Sequence, residues 1–294
     1  MNRTMAAFKF GSALARAVPD VVADGLARVA GFGVAHASPE RRAQVERNLR
    51  RVHGPGFGGF RLRRAVDATF ESYARYWAES FRLPGTSPEV LGAGMSYEGL
   101  QHLDEGLAGG NGVILALPHL GGWEWAGFWV AAVRKQPITV VVEALDPPEL
   151  FEWFVDLRRS FGMNIISLGP DAVAGVVRAL KANHIVCLLC DRDIGGGGIE
   201  VEFFGERTKL PGGPATLSLR TGAPLLPTAA YYRGRGHYGV CRPPVPSERR
   251  GRLREDVARV TQSLAHELEA LIRVAPEQWH LMQPNWPSDR AALP

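Results

Sequence analysis

The sequence predicts an α/β protein: a mostly parallel, mixed central sheet covered by helices on both faces, with a helical N-terminal extension. Three observations carry this. From about residue 96 the chain alternates short apolar, often β-branched runs with stretches of helical length. Such alternation builds parallel strands joined by crossover helices. Before that point the pattern is helical throughout. The 294 residues, 46% apolar and 22% charged, are ordinary for a globular chain with a core of good size. A single domain over 1–294 is expected, with a helical part over 1–85 and an α/β core over 95–294.

The elements follow in order. Residues 5–34 suggest one or two amphipathic helices broken near Pro19. Arg16, Asp20, Asp24 and Arg28 interrupt this apolar stretch, so it is neither a membrane span nor a signal-peptide core. It can pack on the core or lie on an anionic membrane surface. "SPERRAQVERNLRRVHG" reads as a helix with Ser38 at the N-cap, Pro39 at the first position and Gly54 beyond the end. "HGPGFGGF", 53–60, is the one flexible linker expected. Over 61–82, Phe70, Tyr73, Tyr76, Trp77 and Phe81 recur at three- and four-residue steps, the stripe of a helix. Most of these rings are expected in the core, with a few toward lipid.

Farther on, "GVILALP", "ITVVVEAL", "NIISLG", "HIVCLLCD" and "PLLPTAAYY" mark strands, and 122–135, 147–161, 171–182 and 212–221 mark helices. "YGVCRPPVP" adds a late strand. "RLREDVARVTQSLAHELEALIRVAP" is a long C-terminal helix, and "EQWHLMQPNW" closes the pattern. No internal repeat is visible.

The net charge of +4 favours anionic partners, but no nucleic-acid motif accompanies it, and nucleic acid is not expected. Three cysteines make an odd count, which argues against a disulfide framework. Cys187 and Cys190 form a CxxC inside an apolar strand run, so they read as buried thiols rather than a redox or zinc pair. This cysteine usage fits a reducing compartment.

Ligands of such sheets bind at the carboxyl ends of the strands. His119 stands where the first strong strand ends; Gly121 and Gly122 let the chain turn, and Glu124 opens a helix. The histidine is either a structural turn residue or a general base. In the second reading a carboxylate fixes one imidazole nitrogen and the other takes a proton from a hydroxyl. The turn can bring Glu124 to that role. Asp191, first of "DRD", is the other candidate, unless Asp191, Arg192 and Asp193 are simply a solvated turn. Arg207 and Lys209, before a Gly-Gly-Pro turn, suit an anion. Arg158 and Arg159 either complement a helix C-terminus or clamp a substrate phosphate. Glu143, Arg192 and Asp193 complete the substrate-binding candidates. No metal set and no cofactor are expected.

These residues together resemble a known family. His119-x4-Glu124 looks like the HX4D/E motif of glycerolipid acyltransferases. The ordered set "NLRRVHG", "LPHLGGWEWAG", "ELFEWFVDLRRSFG", "DRDIGGGGIEVEFFGERTKLPGGPATLSLRTGAPLLP" and "EQWHLMQPNW" is similar to the lauroyl/myristoyl acyltransferase family of lipid A biosynthesis. Within it, the resemblance is strongest to the actinobacterial branch that acylates phosphatidylinositol mannosides. It covers nearly the whole chain from about residue 38. It implies acyl transfer from acyl-CoA, typically palmitoyl, to a hydroxyl of a membrane glycolipid. Acyl-CoA is then a co-substrate, and the enzyme, favoured as a monomer, works peripherally on the cytoplasmic face of the plasma membrane. By the same resemblance His119 is the catalytic histidine, Glu124 the motif carboxylate, Asp191 its charged partner and Arg158 a residue lining the acceptor site. The branch has Asp where this chain has Glu124, and Glu where it has Asp191, so both carboxylates stay candidates for orienting His119. The same scaffold serves lipid A precursors and other lipid or natural-product hydroxyls. A non-catalytic lipid-binding protein of the membrane surface is the reading from another class.

Overall fold

Every apolar run marked above as a strand becomes one, though "NIIS", at a sheet edge, is only half-buried. A computed structural model describes residues 25, 29, 31, 33–35, 37–143 and 148–291. The amphipathic stretch expected over 5–34, with its membrane docking, lies outside the described residues but for a few positions.

Helices α1 (Pro39–His53), α2 (Gly59–Arg82) and α3 (Pro88–Ala93) precede β1 (Met95–Glu98). The core then runs α4 (Leu100–Ala108), β2 (Val113–Leu117), α5 (Trp123–Ala132), β3 (Ile138–Val142), α6 (Pro148–Ser160), β4 (Asn164–Ser167), α7 (Ala172–Lys181) and β5 (Ile185–Leu189). A hairpin follows, β6 (Ile199–Phe203) and β7 (Glu206–Leu210), then α8 (Gly213–Thr221), β8 (Leu225–Arg233), β9 (Gly236–Cys241) and α9 (Leu253–Val274). A 3₁₀ turn (Pro276–Gln278) and α10 (Pro287–Ala291) close the described chain.

The seven strands lie in the order β1-β9-β8-β2-β5-β3-β4, and every neighbouring pair is parallel except β8–β9. This is the mixed, mostly parallel sheet the sequence predicts. β2, in its middle, is buried at all five positions, as a strand covered on both faces must be. Ile114 and Ala116 pack with Val260, Leu264 and Leu268 of α9, while Val113, Leu115 and Leu117 pack with Phe128 of α5 and Leu103 of α4. No described helix is long and apolar enough to cross a membrane.

Several local expectations change. Ser38 sits at the N-cap of α1, but its side chain makes no capping bond. The linker over 53–60 is a tight turn: the Phe57 N–H donates to Gly54 at 3.1 Å and its ring stacks on His53 at 4.2 Å. β1 escapes pattern reading because it is a four-residue edge strand with three exposed positions. The hairpin escapes it because its two-residue turn is Phe204–Gly205. Both residues have positive φ, +53° and +74°, as a type I′ turn demands, yet Phe is a poor sequence signal for one. Packing holds it there: the Phe204 ring lies against Trp279, and its N–H donates to Glu269 at 2.7 Å.

The last segment is anchored by a buried charge. Asp289 accepts from Gln44 at 2.8 Å and from the N–H groups of Asn285 (3.0 Å) and Trp286 (3.2 Å), and pairs with Arg47 at 3.2 Å and Arg51 at 2.8 Å. Burial alone would raise its pKa, but these bonds hold it below the usual carboxylate range. Its stabilising contribution is therefore complete above the unfolded carboxylate value of about 3.9 and lost as the pH falls through its folded value. Asp289→Ala leaves Arg51 and Gln44 without their buried partner. A loss of about 3–5 kcal/mol is expected at neutral pH, measured by chemical denaturation; an unchanged midpoint would refute this anchoring.

Candidate active site

The site forms where β2 runs out. After Leu117 the chain turns through Pro118 and His119, and the two glycines let it pass under β8. Gly121 has φ +59°, and a Cβ there would lie 2.2 Å from the Ala230 carbonyl oxygen; a Cβ on Gly122 would lie 2.4 Å from the His237 ring. Gly121 needs glycine because the Ala230 backbone touches it, and Gly122 because the His237 ring does. The N–H groups of Gly121 and Gly122 are spent on Gln278 (2.9 Å) and Ala230 (2.8 Å).

His119 is fixed by a carboxylate from the neighbouring strand. Its Nδ1 lies 2.6 Å from Asp191 Oδ1, and its own N–H donates to Asp191 Oδ2 at 3.0 Å. Asp191 follows β5 and is fully buried. The Trp279 indole donates to it at 2.8 Å, and Asn285 donates to its backbone carbonyl at 3.0 Å. Burial works to raise the pKa of this carboxyl, but His119 and the donors outweigh it and the net direction is down. An ionised Asp191 can only accept, so the proton of the pair sits on Nδ1. No described residue bonds Nε2, and the His119 side chain keeps 23% of its surface exposed.

Glu124 does not take the role its spacing allowed. It opens α5 as a buried residue whose carboxylate forms a forked pair with Arg158 from α6, with Nε to Oε2 at 3.3 Å and a second, shorter bond from the other arm of the guanidinium. The carboxylate meets Arg158 rather than the His119 ring. Burial tends to lower the Arg158 pKa, but Glu124 outweighs it and the net direction is up, so the guanidinium stays charged. The aromatic residues of α2 close the corner. Tyr76 stacks on Trp123 at 4.2 Å, and Trp123 stands edge-on to His119 at 5.7 Å.

The other candidates separate. Glu143 and Arg192, at the ends of β3 and β5, pair with each other at 3.3 Å. Asp193 accepts from the Gly198 N–H at 2.9 Å. Arg207 and Lys209 lie on β7, ahead of the Gly-Gly-Pro turn into α8; Arg207 is ion-paired to Glu200 at 2.8 Å. With Asp193 and Arg290 they line a polar cavity of about 290 Å³. Cys190 is buried, as read, and Cys187 is half-buried; burial pushes both thiols up, Cys187 to about 12. Among the described residues no cluster of His, Cys, Asp and Glu forms a metal site.

Sequence reasoning missed the partners from the closing segment: Trp279, His280 and Asn285. His280 is buried, shares a hydrogen bond with Ser72 at 2.8 Å and donates its N–H to the His119 carbonyl at 2.7 Å. Crowding of Trp, His and Asn in "EQWHLMQPNW" was the available signal. Also unforeseen in extent is an apolar cavity of about 140 Å³ between α5 and the sheet. Trp123, Glu124, Leu117 and Arg158 line it beside His119, and Ala126 and Gly127 of α5 leave it room.

Truncating Glu124 should expose the cost of its partner. Glu124→Ala leaves the Arg158 charge buried and alone, for an expected loss of about 3–5 kcal/mol, whereas adding Arg158→Met should recover most of it. Denaturation of the single and double variants checks this; additive losses would contradict the pairing.

Comparison with known proteins gives the family of the chain. The family model described as bacterial lipid A biosynthesis acyltransferase matches residues 5–288. The chain is 39% identical over 293 residues to the phosphatidylinositol mannoside acyltransferase of Mycobacterium tuberculosis (strain CDC 1551 / Oshkosh), covering 96% of this chain and 88% of that one. It is 38% identical over 288 residues to the protein of the same name from Mycolicibacterium smegmatis, covering 95% and 90%. A lipid A biosynthesis acyltransferase of Haemophilus influenzae is 23% identical over 267 residues, covering 89% and 80%. The chain belongs to the bacterial lipid A biosynthesis acyltransferase family.

Proposed function

We propose that this protein transfers a long acyl chain from acyl-CoA to a hydroxyl of a membrane glycolipid, with a phosphatidylinositol mannoside as the acceptor. One observation carries the chemistry: His119 is tethered through Nδ1 to a buried, ionised carboxylate while no described residue engages Nε2. That is a poised general base. The acceptor class rests on the mycobacterial relatives, whose printed name is phosphatidylinositol mannoside acyltransferase.

In this mechanism Nε2 takes the proton of the acceptor hydroxyl as its oxygen attacks the thioester carbonyl carbon. Asp191 stabilises the imidazolium that forms. The tetrahedral oxyanion needs donors. The N–H groups of Gly121 and Gly122 are engaged, so the first turn of α5, whose N–H groups have no intrahelical partner, supplies them. Each such donor is worth about 3 kcal/mol in known hydrolases. Collapse of the intermediate expels the coenzyme A thiolate, which takes the proton back from Nε2, and the ester remains on the glycolipid. The acyl chain occupies the apolar cavity under α5, one of whose lining residues, Trp123, stands edge-on to His119. Arg158, kept charged by Glu124, also lines this cavity, and in this reading it stands where donor and acceptor meet. A coenzyme A donor and a lipid acceptor together place the enzyme peripherally on the cytoplasmic face of the membrane.

Transfer of radiolabelled palmitate from palmitoyl-CoA to purified phosphatidylinositol mannosides, beside lipid A precursors and simple glycolipids, tests the reading. His119→Ala and Asp191→Asn should each lower kcat by about 10³-fold with circular dichroism unchanged. Full activity in His119→Ala would sink the mechanism. Binding to liposomes with no turnover on any acceptor would replace it with a lipid-binding role.

A further inference from the structure

The cavity has a built end. Its floor near the site is the pair of strands β8 and β9, and the strand register shows which residues stand side by side on the α5 face. Ala230 is paired with Gly239, and Gly239 with Tyr97 of β1. Gly121, beside His119, bridges to Ala230. Cross-strand partners project to the same face. One file across the sheet therefore reads Gly, Ala, Gly, Tyr, and the last three line the cavity. Of these, Ala230 and Gly239 have almost no side chain to fill it, and the flexible end of Met95 lies over Gly239. Tyr97 is the first large one, and its ring meets Trp129 of α5 at 5.3 Å. β1 is the sheet edge, and Tyr97 is 52% exposed.

We propose that Tyr97, held against Trp129, is the stop that sets the length of acyl chain this protein accepts, and that Ala230 and Gly239 keep the corridor to it open. The corridor runs across three strand spacings from the catalytic turn, about 14 Å. This rests on the acyl-transfer reading above. A side chain at Gly239 would shorten the corridor: a Cβ there would already lie 2.6 Å from the Met95 terminal methyl, a flexible group that can move aside. Removing the Tyr97 ring opens the far end at an exposed sheet edge, where a chain can emerge.

The test measures binding of saturated fatty acids of increasing length by calorimetry, alongside turnover of the matching acyl-CoA series, for wild type, Gly239→Val, Tyr97→Ala and Met163→Ala. Met163 lines the opposite reach of the cavity, toward β3. Gly239→Val should weaken long chains by about fourfold for each methylene excluded and spare short ones. Tyr97→Ala should move the optimum to longer chains, and its exposed position keeps it informative if Gly239→Val does not fold. Met163→Ala should leave the length profile in place. An unchanged length dependence in both corridor variants, a shift in Met163→Ala alone, or no chain binding by wild type would overturn the proposal. Length-dependent binding without turnover would remove the transfer reading and support the corridor.

Discussion

A single buried carboxylate organises the candidate active site of this molecule. Asp191 has no exposed surface, and an ion there is tolerated only when its lone pairs are taken. They are taken by the ring and backbone of His119 and by the Trp279 indole, while Asn285 holds the adjacent carbonyl. These donors come from the end of β2 and from the closing segment, so orienting the histidine and docking that segment are one physical event. The consequence reaches outward. His280 joins the same segment to α2 through Ser72, and Asp289 joins it to α1 through Arg47 and Arg51. The helices of the N-terminal part are thus clamped to this corner by the same closing segment that supplies Trp279 and Asn285.

The two carboxylates of the site do different work because their surroundings differ. Asp191 faces an imidazole whose remaining nitrogen is unengaged among the described residues; Glu124 faces a guanidinium that never loses its proton. The first pair can shuttle a proton and the second can only hold a shape and a charge. The shorter Asp191 reaches His119 directly across adjacent strands, and the longer Glu124 spans from α5 to α6.

Much of the fold was legible because a parallel strand buried on both faces leaves a continuous apolar run, as in "VILAL", and because helices such as α7 carry clean stripes. The elements that were not legible lack that imprint. β1 lies at an edge and is mostly exposed, and the β6–β7 hairpin turns on Phe204, held at positive φ by tertiary packing. Of the site, the residue types were legible but not their partners. Spacing along the chain put Glu124 nearest His119; only the adjacency of β2 and β5 brings Asp191, 72 residues away, to its ring. Trp279 and Asn285 could not be found from spacing at all, because the register of the closing segment is set by packing against the hairpin.

The division of labour between the carboxylates is most directly tested by proton NMR of the histidine ring protons at low temperature, in wild type, Asp191→Asn and Glu124→Gln. A far-downfield Nδ1–H resonance, assigned through loss in His119→Ala, is expected in wild type and Glu124→Gln and absent in Asp191→Asn. Its survival in Asp191→Asn with loss in Glu124→Gln would contradict the account.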